Sequence, residues 1–130
     1  GGNIAHQITK VAGCSDYFLG SVVSYSNSMK SNLLGVSPQD LQNHGAVSQP
    51  VVEQMARGVC EATATNCAVA TSGIAGPGGE VPGKPVGTVW IAAKCNDQLV
   101  SNRFHFPGNR ERVIQRATTQ ALIMLIKLIR

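Results

Sequence analysis

The stretch Thr71–Trp90, "TSGIAGPGGEVPGKPVGTVW", joins two apolar segments through a connection dense in glycine and proline. Between Gly73 and Pro85 it holds five glycines and three prolines, and the run "VGTVWIAA" follows at once. Short apolar runs bounded by such residues are typical of β-strands. We therefore predict one strand in "CAVAT", one in "VGTVWIAAKC", and between them a loop whose prolines make it a rigid wall.

Further strands and helices are predicted on both sides of this stretch. "GSVVSY" resembles a short strand, and "LVSNRFHF" forms a hairpin with "VGTVWIAAKC" across "NDQ". Apolar residues at helical spacing, with capping residues and glycine stops, predict helices over residues 2–12, from Ser26 or Asn27 to Gly35, from Ser37, from Ser48, and from about Glu111 to the end. This alternation predicts one domain, residues 1–130, with a three-layer α/β/α fold around a mixed sheet.

The composition excludes several classes of protein. The chain has 130 residues, of which 14% are charged and 5% aromatic, with a net charge of +4. A nucleic-acid surface needs a basic stripe interleaved with aromatic residues, so we expect a small anionic ligand instead. The longest apolar run, "ALIMLI", is too short to cross a bilayer, and we expect a cytoplasmic protein that does not bind membranes. The four cysteines form no CxxC pair and no metal spacing with the three histidines, which favours reduced thiols and no metal site.

The glycine loop has features of a ligand site. Its glycines follow the carboxyl end of the "CAVAT" strand, where ligands bind in open α/β sheets, and they let backbone amides approach a ligand closely. Ser72 stands at the mouth of the loop as a hydroxyl donor. The sequence fits neither a Walker A loop nor the dinucleotide fingerprint, and a long connection rich in turn residues remains the alternative. The glycines concerned are Gly73, Gly76, Gly78 and Gly79.

Three polar side chains are candidates to join this loop. Tyr25 ends the predicted strand "GSVVSY", and Lys30 follows near a helix start, where the helix dipole favours the neutral amine of a general base. Arg110 follows Asn109, a cap for the last helix, so its guanidinium and the first-turn amides are placed to hold an anion. Taken singly, each has an ordinary alternative as a strand aromatic, a solvated lysine or a surface charge.

Four motifs in this order, "SYSNSMKSNLLGV", "HGAVSQPVVEQMA", "SGIAGPGG" and "GKPVGTVWIA", resemble the C-terminal domain of the competence-damage-inducible protein CinA. Stand-alone members of that family include nicotinamide mononucleotide amidohydrolases. The resemblance covers essentially the whole chain. It implies hydrolysis of the carboxamide of nicotinamide mononucleotide to nicotinic acid mononucleotide and ammonia, a salvage step in pyridine nucleotide metabolism.

The same resemblance implies roles for particular residues. Tyr25 and Lys30 match the tyrosine and lysine of the family's "YSN…K" segment, Ser72 matches its small hydroxyl residue, and Arg110 matches the arginine of its "G-x-R" segment. The glycines that close a "SCTGG"-like segment match Gly1 and Gly2, which places the serine nucleophile three residues before Gly1. We therefore expect residues 1–130 by themselves to lack the first strand and the nucleophile, and to be inactive.

The implied mechanism needs no metal and no cofactor. The serine attacks the carboxamide carbon, Lys30 acts as the base, and Tyr25 relays a proton or stabilises the oxyanion, although these two residues can exchange roles. Arg110 is expected to hold the 5′-phosphate of a small nucleotide substrate. The competing class is a non-catalytic nucleotide-binding or dimerisation module. An all-apolar turn, Ala121–Ile126, favours a homodimer, but a second helix of the same domain would cover it equally well.

Overall fold

The structure, a computed structural model, describes residues 1–130. It contains five α-helices, one short 3₁₀ turn at Cys14–Asp16, and three β-strands. In chain order these elements are α1 (Asn3–Thr9), α2 (Asn27–Leu34), α3 (Pro38–His44), α4 (Gln49–Thr63), β1 (Cys67–Gly73), β2 (Thr88–Cys95), β3 (Gln98–His105) and α5 (Arg110–Ile129).

The three strands form one antiparallel sheet in the order β1-β2-β3. Cys67 lies opposite Cys95 at one end of the β1–β2 ladder, and Gly73 lies opposite Val89 at the other. The turn after Cys95 returns the chain directly into β3, with Asn96 at a φ of 54°, a left-handed conformation that asparagine tolerates. The hairpin predicted across "NDQ" is confirmed, and β2 is the central strand.

Side chains alternate across the sheet, so each face contributes to a different core. On one face, Ala70 and Ala92 pack with buried residues of α2, α3, α4 and the α2–α3 connection, namely Leu34, Val36, Leu41, Val51, Val52, Met55 and Ala56. On the other face, Val89, Ile91 and Ala93 pack against the buried side of α5, which is formed by Val113, Ala117, Ala121 and Met124. The α/β class and the three-layer order are therefore confirmed.

Local chemistry explains where most helices begin. Ser26 accepts a hydrogen bond from the amide of Met29, Ser37 from Asp40, and Asn109 from Arg112, so the three predicted caps are confirmed. Ser48 differs, because its hydroxyl donates to the carbonyl of Gly45 and caps no amide of α4. Proline in the first turn of α4 removes one amide that would otherwise need a cap.

Helices α2 and α4 are in close contact at Gly58. A Cβ at this position would overlap the backbone carbonyl of Leu34. Only glycine therefore permits this distance between the two helices. The contact fixes α2, the helix that carries Lys30, against the longest helix on that face of the sheet.

Three predictions about the sheet and the first helix are corrected. The segment "GSVVSY", residues 20–25, forms no strand, because its backbone makes no hydrogen bond to any strand edge. Without it, all strands pair antiparallel, whereas a mixed sheet was predicted. Helix α1 ends at Thr9 rather than Ala12, and Gly13, with a φ of 86°, instead precedes the 3₁₀ turn.

The prediction of four reduced cysteines is also wrong, because Cys67 and Cys95 form a disulfide. They are direct register partners with Cα atoms 4.1 Å apart, so pairing of β1 with β2 brings the two sulfur atoms together. Cys14 and Cys60 are free thiols.

Candidate functional site

The candidate site lies at the end of the sheet where β1 leaves and β2 enters. Residues 74–87, the glycine loop, connect the two strands there, and the loop closes on itself through bonds between Ile74 and Thr88 and between Gly87 and Ile74. The predicted position of the loop, directly after the carboxyl end of β1, is confirmed. Within it, Gly76 has a φ of 86°, and a Cβ there would lie 2.5 Å from Cγ1 of Val86.

Arg110 connects this loop to the segment that carries Tyr25. Its Nη1 donates to the carbonyl oxygen of Gly76 at 2.8 Å, and its Nη2 donates to the phenol oxygen of Tyr25 at 3.2 Å. Arg110 is the first residue of α5, and the Asn109 cap fixes the backbone at that point. Three segments far apart in the sequence therefore meet at one guanidinium, and the predicted convergence of Tyr25, Arg110 and the loop is confirmed.

Lys30 lies just inside this contact. Its side chain is 6% exposed, and its Nζ donates to the carbonyl of Ser24 at 2.8 Å and to the carbonyl of Tyr25 at 3.4 Å. Burial lowers the pKa of the Lys30 ammonium below its ordinary value, because the charged form loses water contacts. The predicted direction is confirmed. The cause is burial, rather than the helix dipole, and Lys30 is not a solvated helix lysine.

Tyr25 presents its phenol to solvent, with 73% of the residue exposed. Its ring does not end a strand, as was predicted, but follows an extended segment without sheet partners. The only hydrogen bond of its phenol oxygen is the one from Arg110. A substrate in contact with the phenol would therefore meet a group whose orientation is set by a single neighbouring cation.

The remaining predicted residues lie at different distances from this centre. Gly2 has a φ of 91° as it starts α1, and a Cβ there would lie 3.7 Å from Val23, two residues before Tyr25. Gly1 is exposed beside it. Gly73 is the last residue of β1, where a Cβ would lie 2.6 Å from Val89. Of these three glycines, only Gly73 permits packing that a side chain would prevent, since Gly1 has open space around it and Gly2 makes an ordinary contact.

Ser72 is not a free hydroxyl. It is 8% exposed, and its Oγ donates to the carbonyl of Ala46 at 2.8 Å, which ties β1 to the loop before α4. The hydroxyl that was predicted to donate to a ligand at the mouth of the loop instead donates to a backbone carbonyl in this structure.

A shallow depression of about 370 Å³ adjoins Arg110 and is lined by Asn3, Arg110, Glu111, Ile114 and Gln115. Of the predicted site residues, only Arg110 lines it; Tyr25, Lys30 and the glycine loop do not. Asn3 was not singled out from the sequence; its amide donates to Thr118 of α5 at 2.8 Å, which holds α1 against α5. The carbonyls of Ser24 and Tyr25 were also missed, since a sequence does not reveal which backbone oxygens meet a buried amine.

No three His, Cys, Asp or Glu side chains cluster in a way that could hold a metal ion. None of the helices combines the length and the apolar character that a membrane span requires.

Residues 1–129 match the CinA C-terminal domain. The chain belongs to that family. This CinA C-terminal domain is 46% identical, over 98% of its length, to a Pseudomonas putida protein named nicotinamide-nucleotide amidohydrolase PncC, of which it covers 80%.

Other relatives are longer. A CinA-like protein of Salinibacter ruber is 50% identical over 85% of this chain, which covers 27% of that protein's length. A putative competence-damage inducible protein of Moorella thermoacetica is 44% identical over the whole chain, which covers 31% of it. The chain thus spans less than a third of the length of these relatives.

Solved structures agree on the fold. The competence/damage inducible protein CihA from Agrobacterium tumefaciens superimposes with a TM-score of 0.97 at 37% identity, covering all of this chain and 80% of that one. The competence damage-inducible protein A from Klebsiella pneumoniae gives a TM-score of 0.92 at 36% identity, covering 96% of this chain and 78% of the other.

Proposed function

We propose that this CinA C-terminal domain hydrolyses the carboxamide of nicotinamide mononucleotide to nicotinic acid mononucleotide and ammonia, in pyridine nucleotide salvage. The observation that carries the proposal is the buried amine of Lys30, bound to the carbonyl of Tyr25, whose phenol in turn contacts Arg110. A lowered-pKa amine that binds the backbone of the residue carrying an exposed phenol suits proton transfer at a small-molecule site. The relation to a protein named nicotinamide-nucleotide amidohydrolase supports the choice of substrate.

The proposed chemistry is acyl transfer through a serine ester. A serine ahead of Gly1, as the family resemblance implies, forms a bond from its Oγ to the carboxamide carbon while neutral Lys30 accepts the hydroxyl proton. The carbon–nitrogen bond then breaks, and the nitrogen leaves as ammonia after taking up that proton, with Tyr25 as the relay. Water next attacks the ester, which releases the carboxylate and restores the serine. Lys30 is assigned as the base because its pKa is the lowered one.

The surrounding residues have binding roles in this proposal. Gly1 and Gly2 lie beside the reacting carbonyl, and Gly73 and Gly76 give the loop its close backbone approach to the nicotinamide mononucleotide. Ser72, through its bond to Ala46, holds the start of the loop in place. No step of the chemistry uses a metal or an added cofactor.

The test is an assay of ammonia release from nicotinamide mononucleotide, made on the chain together with any native residues that precede Gly1. We expect Lys30→Ala to abolish turnover and Tyr25→Phe to lower it by about 100-fold. Tyr17→Phe, at another exposed tyrosine, is the matched control and should keep full activity. Undiminished turnover in both Lys30→Ala and Tyr25→Phe would remove these residues from the mechanism.

A second candidate function is a nucleotide-sensing module without catalysis. It is favoured by the length of the CinA-like relatives, in which a region matching this chain forms only 27% or 31% of the protein. Calorimetric titration separates the two functions. A domain that binds the mononucleotide but never releases ammonia, with the preceding residues present, would be a sensor.

We also propose that the domain forms homodimers in the cytoplasm. Ile123, Ile126 and Ile129 lie exposed on α5, on the side that does not face the sheet. An exposed apolar stripe of this kind is common at subunit contacts. Light scattering should show a dimer that Ile126→Glu converts to a monomer, and a monomer in the native protein would refute the proposal.

A further inference from the structure

The guanidinium of Arg110 already has two internal partners. Its Nη1 binds the Gly76 carbonyl and its Nη2 binds the Tyr25 phenol, across 34 and 85 positions of sequence. Both partners are neutral oxygens of the protein. A cation that is held by two such acceptors, one of them in the loop and one in the reacting segment, is placed to organise the site.

The phenol of Tyr25 needs such an organiser. The residue is largely exposed, and no other side chain or backbone group binds its oxygen. A proton relay works only when its donor is held within about 0.5 Å of the productive position. An exposed aromatic side chain without a partner would sample several rotamers, so the bond from Arg110 is what selects one of them.

The position of Arg110 is itself well fixed. Helix α5 packs on the sheet through Val113, Ala117 and Ala121, and Asn109 caps its first turn. Arginine is suited to this bridge, because its planar group presents several donors in a fixed arrangement. Packing on the sheet therefore fixes the position of α5, and α5 fixes the position of the Arg110 guanidinium. The guanidinium in turn holds the Gly76 carbonyl and the Tyr25 phenol in place.

From this geometry we propose that Arg110 is a positioning residue, which acts through Tyr25 and Gly76 and does not bind the phosphate of the substrate. The effect on catalysis rests on the proposed function, whereas the contacts of Arg110 do not. The inference replaces the expectation that Arg110 holds the 5′-phosphate. It predicts an effect of Arg110 on kcat, since the geometry of the relay is disturbed, and little effect on substrate affinity.

A mutant cycle tests the coupling. Arg110→Ala should lower kcat for nicotinamide mononucleotide by ~100-fold and change the dissociation constant measured by calorimetry by less than about threefold. In the Tyr25→Phe background the same substitution should cost only ~10-fold or less, because the group it positions is absent. Arg110→Lys, which keeps the charge but loses the fork, should still be impaired by ~10-fold.

Two results would overturn the inference. A large loss of affinity with kcat intact would assign Arg110 to the phosphate, and equal losses in both backgrounds would show that it does not act through Tyr25. Arg116→Ala, at an exposed arginine of the same helix, is the matched control and should behave as the native protein.

A second readout does not depend on turnover. Within residues 1–130, Tyr25 is the only tyrosine of a Tyr17→Phe variant, so ring-labelled tyrosine in this stretch of chain gives one NMR signal to follow. We expect that signal to move in Arg110→Ala and to stay in place in Arg116→Ala. An unmoved signal would refute the bridge even in an active enzyme. A moved signal in a native protein that releases no ammonia would support the bridge and refute the amidohydrolase.

Discussion

The two ends of the sheet solve the same problem, joining antiparallel strands, in opposite ways. At one end the chain turns tightly at Asn96 beside the Cys67–Cys95 disulfide, with few residues and a covalent bond. At the other, residues 74–87 form a long loop, and Arg110 holds its carbonyl at Gly76. The lowered pKa of Lys30 and the exposed phenol of Tyr25 occur on the side of this second end. We infer that one end of the sheet supplies stability, whereas the other end carries the proposed chemistry.

Replacing the buried amine of Lys30 should have the largest effect on activity, at the end of the sheet that carries the proposed chemistry. We expect Lys30→Arg to lower kcat for ammonia release by ~1,000-fold, because a guanidinium stays protonated and cannot act as a base. The native enzyme should gain kcat/KM as the pH rises toward the lowered pKa of Lys30, since only the neutral amine accepts a proton. Rates over a pH series measure both effects. Lys10→Arg, at an exposed lysine, is the control, and a Lys30→Arg enzyme within tenfold of native would place the base elsewhere.

Removing the disulfide should affect stability alone. The double variant Cys67→Ser/Cys95→Ser is expected to lower the free energy of unfolding by about 3 kcal/mol, because the unfolded chain gains freedom when the cross-link is lost. Its kcat should remain within about twofold of native, since the bond lies at the end away from the loop. Urea denaturation without reductant provides the first value. Cys14→Ser, at an unbonded cysteine, should change neither, and a collapse of kcat in the double variant would contradict the division between the ends.

A methyl group in the glycine loop should lower kcat, in contrast to removal of the disulfide, which should lower stability. Gly76→Ala is expected to lower kcat by ~100-fold, because its φ of 86° disfavours a side chain and the new Cβ would meet Val86 at 2.5 Å. The carbonyl held by Arg110 would then move. Gly78→Ala is the matched control, with open space around its Cβ and no left-handed backbone. Equal losses in the two variants would show that the loop needs flexibility rather than this conformation.

The smallest effect concerns the stability cost of Lys30. In the unfolded chain, Lys30 binds a proton once the pH falls below the ordinary pKa of lysine. In the folded protein, burial lowers the pKa of Lys30, so the amine binds its proton only at a lower pH. The native protein therefore loses stability as the pH falls from the ordinary pKa to the lowered one. Lys30→Met removes this loss. As the pH falls from high to neutral, the free energy of unfolding of Lys30→Met should rise relative to that of the native protein. The expected rise is about 1.4 kcal/mol for each unit by which burial lowers the pKa of Lys30.

Urea denaturation at the two pH values measures this difference. Lys127→Met, at an exposed lysine of α5, should show no such dependence. A difference between Lys30→Met and native that is the same at both pH values would mean that the buried amine keeps its ordinary pKa.

Much of the fold and part of the candidate site could be predicted from the sequence, because these features depend on neighbouring residues. Caps at Ser26, Ser37 and Asn109, and the stop at Gly35, depend on neighbouring residues, and all are confirmed. The convergence of Tyr25 and Arg110 on the loop was predicted partly for a wrong reason, because Tyr25 was placed there as the end of a strand that does not form. The Asn109 cap before Arg110 and the family motifs were the parts of that argument that held. The alternation of strands and helices predicted the three-layer order, with helices on both faces of the sheet.

Other features depend on partners distant in the chain. Residues 20–25 have strand-like composition, but a strand exists only where an edge accepts it. The hydroxyl of Ser72 bonds to Ala46 and that of Ser48 to Gly45, choices that only the packed structure decides. The disulfide did have a signal, since Cys67 begins one strand and Cys95 ends its antiparallel neighbour.

The contact at Gly58 has a consequence for genetics. Leu34, whose carbonyl touches this glycine, lies one helical turn beyond Lys30 on the same buried side of α2. Any side chain at residue 58 would push that helix outward and carry the amine with it. A screen for inactive alleles should therefore recover changes at this position, and their carriers would look like catalytic mutants although the altered residue is outside the reaction centre.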